Sequence, residues 1–362
     1  MITNLEGRFQ SWKSEYGIDA NSLGFYRILF CGWLVLFYPP SYAWIGDVPK
    51  AFYDPPALSL ASLFDTFPDR SFFLFLDVVI AISLLLVAVG FLTRCSTAAL
   101  LLAQLVGNNF QYSFGKIDHI IFVQCVLLVM LIVNWGRALS VDQIVFRRDV
   151  KVAPSIWLLA AFLAFGFFSA GFGKAIHWID WDLETSGFLN WLYAGYYTLN
   201  RQELLAPLAM NVRPLWIWEI ADLTAVVFEL GFVIAIFWRR LFMIWLLIAC
   251  LFHLTNCLVL NISFAPYSIC YLAFVPWSKL IPALSRLQRI PSWGLLTICS
   301  VMILSGPPLS LFRFVLASPS WSLERGILMW FSCGVILVFA LRHFWPGQAD
   351  RPAEEEPPVR TG

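Results

Sequence analysis

Charge is scarce in this sequence: Asp, Glu, Lys and Arg make up 13% of its 362 residues, against roughly 25% in soluble domains. What charge there is nearly cancels. Twenty-four Lys and Arg face 23 Asp and Glu for a net +1, so no basic field is present to hold a nucleic-acid backbone. There is no Walker loop, no GxGxxG, no GxSxG and no HExxH, which removes support for ATP-driven transport and the common hydrolase chemistries. The eight cysteines (Cys31, Cys95, Cys125, Cys250, Cys257, Cys270, Cys299 and Cys333) are scattered through apolar runs without CxxC or CxxCH spacing. They read as small packed hydrophobes, and neither a structural disulfide nor a zinc or haem site is expected.

What the sequence has is apolar surface: 60% of residues are hydrophobic and the mean hydropathy is +0.74. A spanning helix needs about 20 mostly apolar residues. Suitable runs lie near 23–38, 71–92, 95–112, 117–135, 154–172, 215–237, 241–260, 292–312 and 322–341, with a shorter one at 263–277. Open sheet edges cannot face lipid, and runs such as 78–92 do not alternate as barrel strands do, so each run is predicted to be helical. The expected fold is all-α, a polytopic transmembrane bundle of nine to ten helices occupying residues 21–345.

If all ten runs cross and the N-terminus lies inside, fifteen Lys and Arg fall on the inner side and eight on the outer, with Arg27 inside the first span. That bias predicts cytoplasmic N- and C-termini and an extracytoplasmic loop after the fifth span. Residues 1–20 carry Glu6, Arg8, Lys13, Glu15 and Asp19 without an apolar h-region, so no cleavable signal peptide is expected there. Leu5, Phe9, Trp12 and Tyr16 recur at helical spacing, as in a helix lying on the inner membrane surface; an ordinary cytoplasmic lead is the alternative. The tail 346–362, with Glu354, Glu355 and Glu356 beside Pro357 and Pro358, has little to bury and is expected to be disordered.

Ionisable side chains within spans are costly, so each is a functional candidate with a packing alternative. Arg27 either snorkels or meets a carboxylate, and Asp77 is read the same way. Glu219, Asp222 and Glu229 form a row on one span that could relay protons, or pair with Arg27 or Lys174. Lys174 ends a run in which Gly166, Ala170 and Gly173 at three- and four-residue spacing would admit a neighbouring helix. An amine in apolar surroundings is destabilised in its charged form and can act as a base; a lysine at a helix end more often snorkels. His177 is one turn beyond it. His253 and Asn256 sit one turn apart in an apolar span, as a packed polar pair or a proton donor and acceptor. The Gly306-Pro307-Pro308 break suggests a transporter's discontinuous helix, but no internal repeat accompanies it.

Three stretches add a resemblance. Ala170-Gly171-Phe172-Gly173-Lys174 followed by Trp178, then Phe252-His253-x-x-Asn256 with Ile262 and Tyr267, and Ser140-Val141-Asp142 before Arg147-Arg148 resemble segments of the vitamin K-dependent gamma-glutamyl carboxylase. The opening 23–30 looks like the first helix of the wider horizontally transferred transmembrane (HTTM) domain family to which that enzyme belongs. The sequence shows no sorting signal, which points to a bacterial inner membrane; the resemblance implies a protein acting on reduced vitamin K or a related quinol, with O2 and in the parent reaction CO2, and no metal. It implies Lys174 as base, His253 and His119 as catalytic partners, and His177, Trp178, Asn256 and Tyr267 around the substrate. The family's second lysine is Gly173 here, and His119 matches only loosely. The animal enzyme continues into a large lumenal portion; this sequence offers two further apolar runs instead. The partners implied are a membrane quinone or lipid and a secreted peptide; a non-catalytic protein binding a lipid or peptide, of the toxin maturation or immunity type, is the other reading.

Overall fold

The computed structural model describes residues 2–115, 120–146, 154–180, 185–284 and 322–344. The regular elements among these residues are all helices, without strands; a single isolated bridge joins Gly17 to Ser155. Among the described residues, ten helices of seven residues or more organise the fold: α1 (Ile2–Glu15), α2 (Ala20–Phe37), α3 (Arg70–Val89), α4 (Thr93–Gln111), α5 (Ile121–Val133), α6 (Trp157–His177), α7 (Gly187–Tyr193), α8 (Leu215–Ala235), α9 (Arg239–Leu260) and α10 (Ser322–Arg342). Five of them, α2, α3, α6, α9 and α10, are long and apolar enough to cross a membrane. Helix α4 is of similar length but carries buried Gln104 and Asn108, and α8 carries three carboxylates. The run expected at 292–312, with Gly306-Pro307-Pro308, lies outside the described residues, as do Arg147, Arg148 and the tail 346–362.

Apolar side chains sit outside as well as inside. Phe75, Val78 and Ile82 of α3, Phe165, Phe172 and Ile176 of α6, and Leu328 and Phe331 of α10 are all exposed. Contiguous apolar surface of this kind is what a lipid-facing bundle presents and a soluble monomer rarely does.

The turns are built by polar groups that the helices leave unpaired. Asp19 caps α2 through the Ser22 amide at 3.0 Å. Gly90 ends α3 in the left-handed region at φ +73°, and a Cβ there would also stand 2.9 Å from the Arg27 guanidinium carbon. Asp142 accepts from the amides of Leu92 and Thr93, each at 2.8 Å, so it caps α4 from another part of the chain. Fully buried Arg27 does not snorkel: its guanidinium donates to the carbonyls of Trp135, Ala138 and Leu139. Asp77 likewise serves the fold, accepting from the Tyr42 amide at 2.8 Å and the Ala43 amide at 3.1 Å.

Run 263–277 is not a regular helix. Residues Ala265–Tyr267 and Leu272–Phe274 are 3-10 turns flanking the α-helical turn Ser268–Tyr271. It starts with Phe264 beside His253 (5.3 Å between ring centroids) and finishes with Phe274 beside Phe242 (4.9 Å), where the Phe274 carbonyl accepts from Arg239. Eleven residues of α9 separate His253 from Phe242, about 16 Å of helix, so the irregular run descends through the bundle interior. Residues from Tyr267 to Val275 are all buried, the setting in which non-helical backbone is tolerated at membrane depth.

Helix α1 docks on the end of the bundle where α9 begins. The Trp12 indole and the Tyr16 hydroxyl both donate to the Ile236 carbonyl, at 2.8 and 2.7 Å, and Tyr16 is completely buried whereas Phe9 is exposed. Burial raises the Tyr16 pKa, with nearby Arg239 opposing. Arg239 lies 5.4 Å from the Tyr16 ring and 5.1 Å from that of Phe344, so the first and last described segments meet at one end.

Candidate functional site

At the opposite end a cavity of about 250 Å³ opens between α6, α8, α9 and the irregular run. It lies slightly below the size of pockets that take drug-like ligands, and its walls include Phe122, Phe167, Trp178, Phe252 and Phe264. Lys174, Trp178, His253, Asn256 and Tyr267 all line it. His177 does not line it and is exposed. His119 lies outside the described residues.

Two polar pairs face this space. On one wall the Lys174 ammonium pairs with the Glu229 carboxylate, joining α6 to α8; the Glu229 side chain is 4% exposed and that of Lys174 24%. Gly171 makes the approach possible, since a Cβ there would stand 2.7 Å from the Glu229 Cβ and 3.2 Å from the Leu230 nitrogen. The glycine spacing in α6 therefore works as expected at Gly166, which packs on the Phe122 ring, but not at Gly173, which has nothing within 4 Å. The Lys174 nitrogen also sits 5.2 Å from the Trp178 ring and 5.8 Å from that of Phe252, close enough for cation–π attraction.

Lining the same cavity, His253 Nε2 and the Tyr271 hydroxyl share a hydrogen bond at 3.0 Å. The His253 ring stacks on Trp330 of α10 at 4.4 Å and 22°. Tyr271 and Trp330 were not apparent as site residues; the one signal for Tyr271 was its place four residues after Tyr267 in the doubtful run. One turn along α9 from His253, Asn256 is 5% exposed. Its backbone carbonyl accepts from the amides of Asn261 and Ile262, ending the helix at Asn261 with φ +51°. Its side-chain amide lines the cavity and makes no hydrogen bond to the protein among the described residues.

Of the two readings of the α8 carboxylates, a relay or pairing with a basic residue, Glu229 takes the second through Lys174, and Asp222 has a separate duty. Fully buried Asp222 accepts from the amides of Gly187 (2.8 Å) and Phe188 (2.7 Å) and so caps α7. Helix α7 and residues 206–209 form a small second core, with Phe188 stacked on Trp218 at 5.7 Å, and Phe188 and Trp191 complete the cavity's lining. Only Glu229 of the row meets the cavity.

No protein-family model, curated protein or solved structure matches this chain.

Proposed function

We propose that this chain is a membrane enzyme that oxidises a reduced naphthoquinone or related quinol, with the Lys174–Glu229 couple as its base, in the manner implied by the resemblance to the vitamin K-dependent carboxylase. The observation that carries the reading is the amine–carboxylate couple lining an aromatic cavity that His253, bonded to Tyr271, also lines. Flat aromatic walls suit a quinol ring, and groups that exchange protons suit its hydroxyls. A quinol supplies, with O2, the net conversion to quinone epoxide and water.

The residues' own contribution is proton handling. As an ion pair, Lys174 holds the proton and Glu229 the charge. Passing the proton to Glu229 along the contact between them gives a neutral amine and a neutral acid. The free amine then accepts a ring hydroxyl's proton. His253, bonded to Tyr271, keeps a second exchangeable proton in the same cavity, and the rings of Trp178 and Phe252 lie close to the amine.

The topology proposed with it is ten crossings with both termini cytoplasmic in a bacterial inner membrane, the cavity facing outward. The fifteen-to-eight partition of basic residues supports it, as does the meeting of Tyr16 and Phe344 at the end away from the cavity. Coupling to CO2 capture on a secreted peptide is left to the parent family.

Purified protein in lipid nanodiscs, incubated with reduced vitamin K and O2, is expected to release epoxide detectable by mass spectrometry. Lys174→Ala should abolish it at matched folded protein. Equal epoxide from the variant, or none from folded wild type with several quinols, would reject the reading.

A further inference from the structure

Primary amides buried in apolar surroundings are ordinarily hydrogen-bonded, and one that is not costs stability. Asn256 is such a group. It is 5% exposed, lines the cavity, and its side chain has no hydrogen-bond partner among the described residues. The backbone around it is fixed for another purpose: its carbonyl receives the Asn261 and Ile262 amides, the latter at 3.2 Å, and turns the chain so that Ile262, Phe264 and Tyr267 come back to line the same cavity. The side chain is thus held in place while its amide is left for something else.

We infer that Asn256 is the residue that recognises an oxygen substituent on a flat ring bound in this cavity, and so sets its specificity for oxygenated rings over plain hydrocarbons. An amide offers an N–H donor and a C=O acceptor at one point. It can donate to a ring carbonyl and accept from a ring hydroxyl, so one side chain serves both redox forms of a quinone. The two charged or titratable pairs line the same cavity, Lys174–Glu229 from α6 and α8, and His253, one turn back on α9, with Tyr271 from the irregular run. Asn256 moves no proton in this arrangement; it fixes where the ring oxygen lies. The inference rests on the quinol reading for its choice of ring, but concerns binding alone.

The test is equilibrium dialysis of protein in nanodiscs against radiolabelled 2-methyl-1,4-naphthoquinone and, separately, 2-methylnaphthalene, with binding to empty nanodiscs subtracted. Wild type is expected to bind the quinone saturably. Asn256→Leu should weaken that binding about tenfold, as orphaning one buried hydrogen-bonding group does, and leave the hydrocarbon's affinity unchanged or raised. The variant should also melt no lower than wild type, because a buried unpartnered amide has been removed. Should it fail to fold, Asn256→Ala removes the amide without adding bulk and carries the same expectation. Equal quinone binding by wild type and variant overturns the inference while leaving the quinol reading in place. Wild type without saturable quinone binding overturns both.

Discussion

The carboxylate of Glu229 closes on the amine of Lys174 at the level where Gly171 has no side chain to keep α6 and α8 apart. The pair could be a base or only a clamp between helices, and the two roles separate under mutation. Glu229→Gln leaves the ammonium beside a neutral amide in a mostly buried place, and breaking such a pair costs about 3–5 kcal/mol when both partners are fully buried; with Lys174 partly exposed, roughly half of that is expected. The double variant Lys174→Met/Glu229→Leu should recover most of the loss, since an apolar pair of similar volume needs no hydration. A thermal melt in nanodiscs measures the stability. Epoxide formation should stay absent in the double variant; if it returned with the stability, the couple would be packing and nothing more.

The glycines of α6 make a sharper steric prediction. A methyl at Gly171 meets the Glu229 Cβ at 2.7 Å, with backbone behind it, whereas a methyl at Gly173 meets nothing within 4 Å. Gly171→Ala is expected to destabilise by about 1–3 kcal/mol, the range for overpacking a tight interface. Gly173→Ala should be neutral or stabilise by up to about 1 kcal/mol, the helix preference of Ala over Gly. Melting temperatures of the two single variants decide it, and a Gly173→Ala that melted well below Gly171→Ala would mean that α6 packs on another face.

How much of this was legible beforehand follows from what sequence patterns encode. Apolar runs mark α2, α3, α6, α9 and α10 because a helix in lipid must satisfy its own backbone. The Phe-His-x-x-Asn spacing puts His253 and Asn256 on one face of α9 for the same geometric reason. The partner of Glu229 was open between Arg27 and Lys174 because the choice depends on which helices touch, and 55 residues separate it from Lys174. Arg27 could not be resolved at all: it is held by carbonyls of Trp135, Ala138 and Leu139, and a carbonyl has no residue identity to read. The Ser140-Val141-Asp142 stretch proved to be a turn clamp, with the Ser140 hydroxyl accepting from the Gln143 amide at 3.0 Å and Asp142 capping α4. Tyr271 was hidden in a run whose period fits neither a regular helix nor a strand.

Tyr16 ties α1 to the bundle and titrates in a predictable direction. Its burial raises the folded-state pKa above the ordinary phenol value, and its hydroxyl donates to the Ile236 carbonyl at 2.7 Å. A raised folded pKa means that the unfolded chain releases this proton first. Its stabilising contribution is therefore complete below about pH 10 and shrinks as pH climbs from there toward the folded value. Tyr16→Phe should cost about 1 kcal/mol at pH 7 through the lost hydrogen bond and flatten the alkaline limb of the melting-temperature profile. A variant with the same alkaline slope as wild type would place the titration elsewhere.

Tyr271→Phe tests whether the His253–Tyr271 pair does more than pack. The substitution removes one hydroxyl, and with it the 3.0 Å hydrogen bond to His253 Nε2, while the ring that lies 5.5 Å from Trp330 is kept. A lost buried hydrogen bond lowers stability by about 1–3 kcal/mol, and a purely structural pair would show that loss alone, with epoxide formation per folded molecule unchanged. The proton-holding role given to His253 requires more. Without the phenol the imidazole loses one of the contacts that hold its ring and the hydrogen bond on Nε2, so turnover should fall at least tenfold with the quinone's binding affinity nearly constant, because neither Asn256 nor the aromatic walls have changed. Single-turnover rates set beside dialysis affinities separate the two outcomes, and wild-type turnover in folded Tyr271→Phe would leave Lys174 and Glu229 to carry the chemistry without this pair.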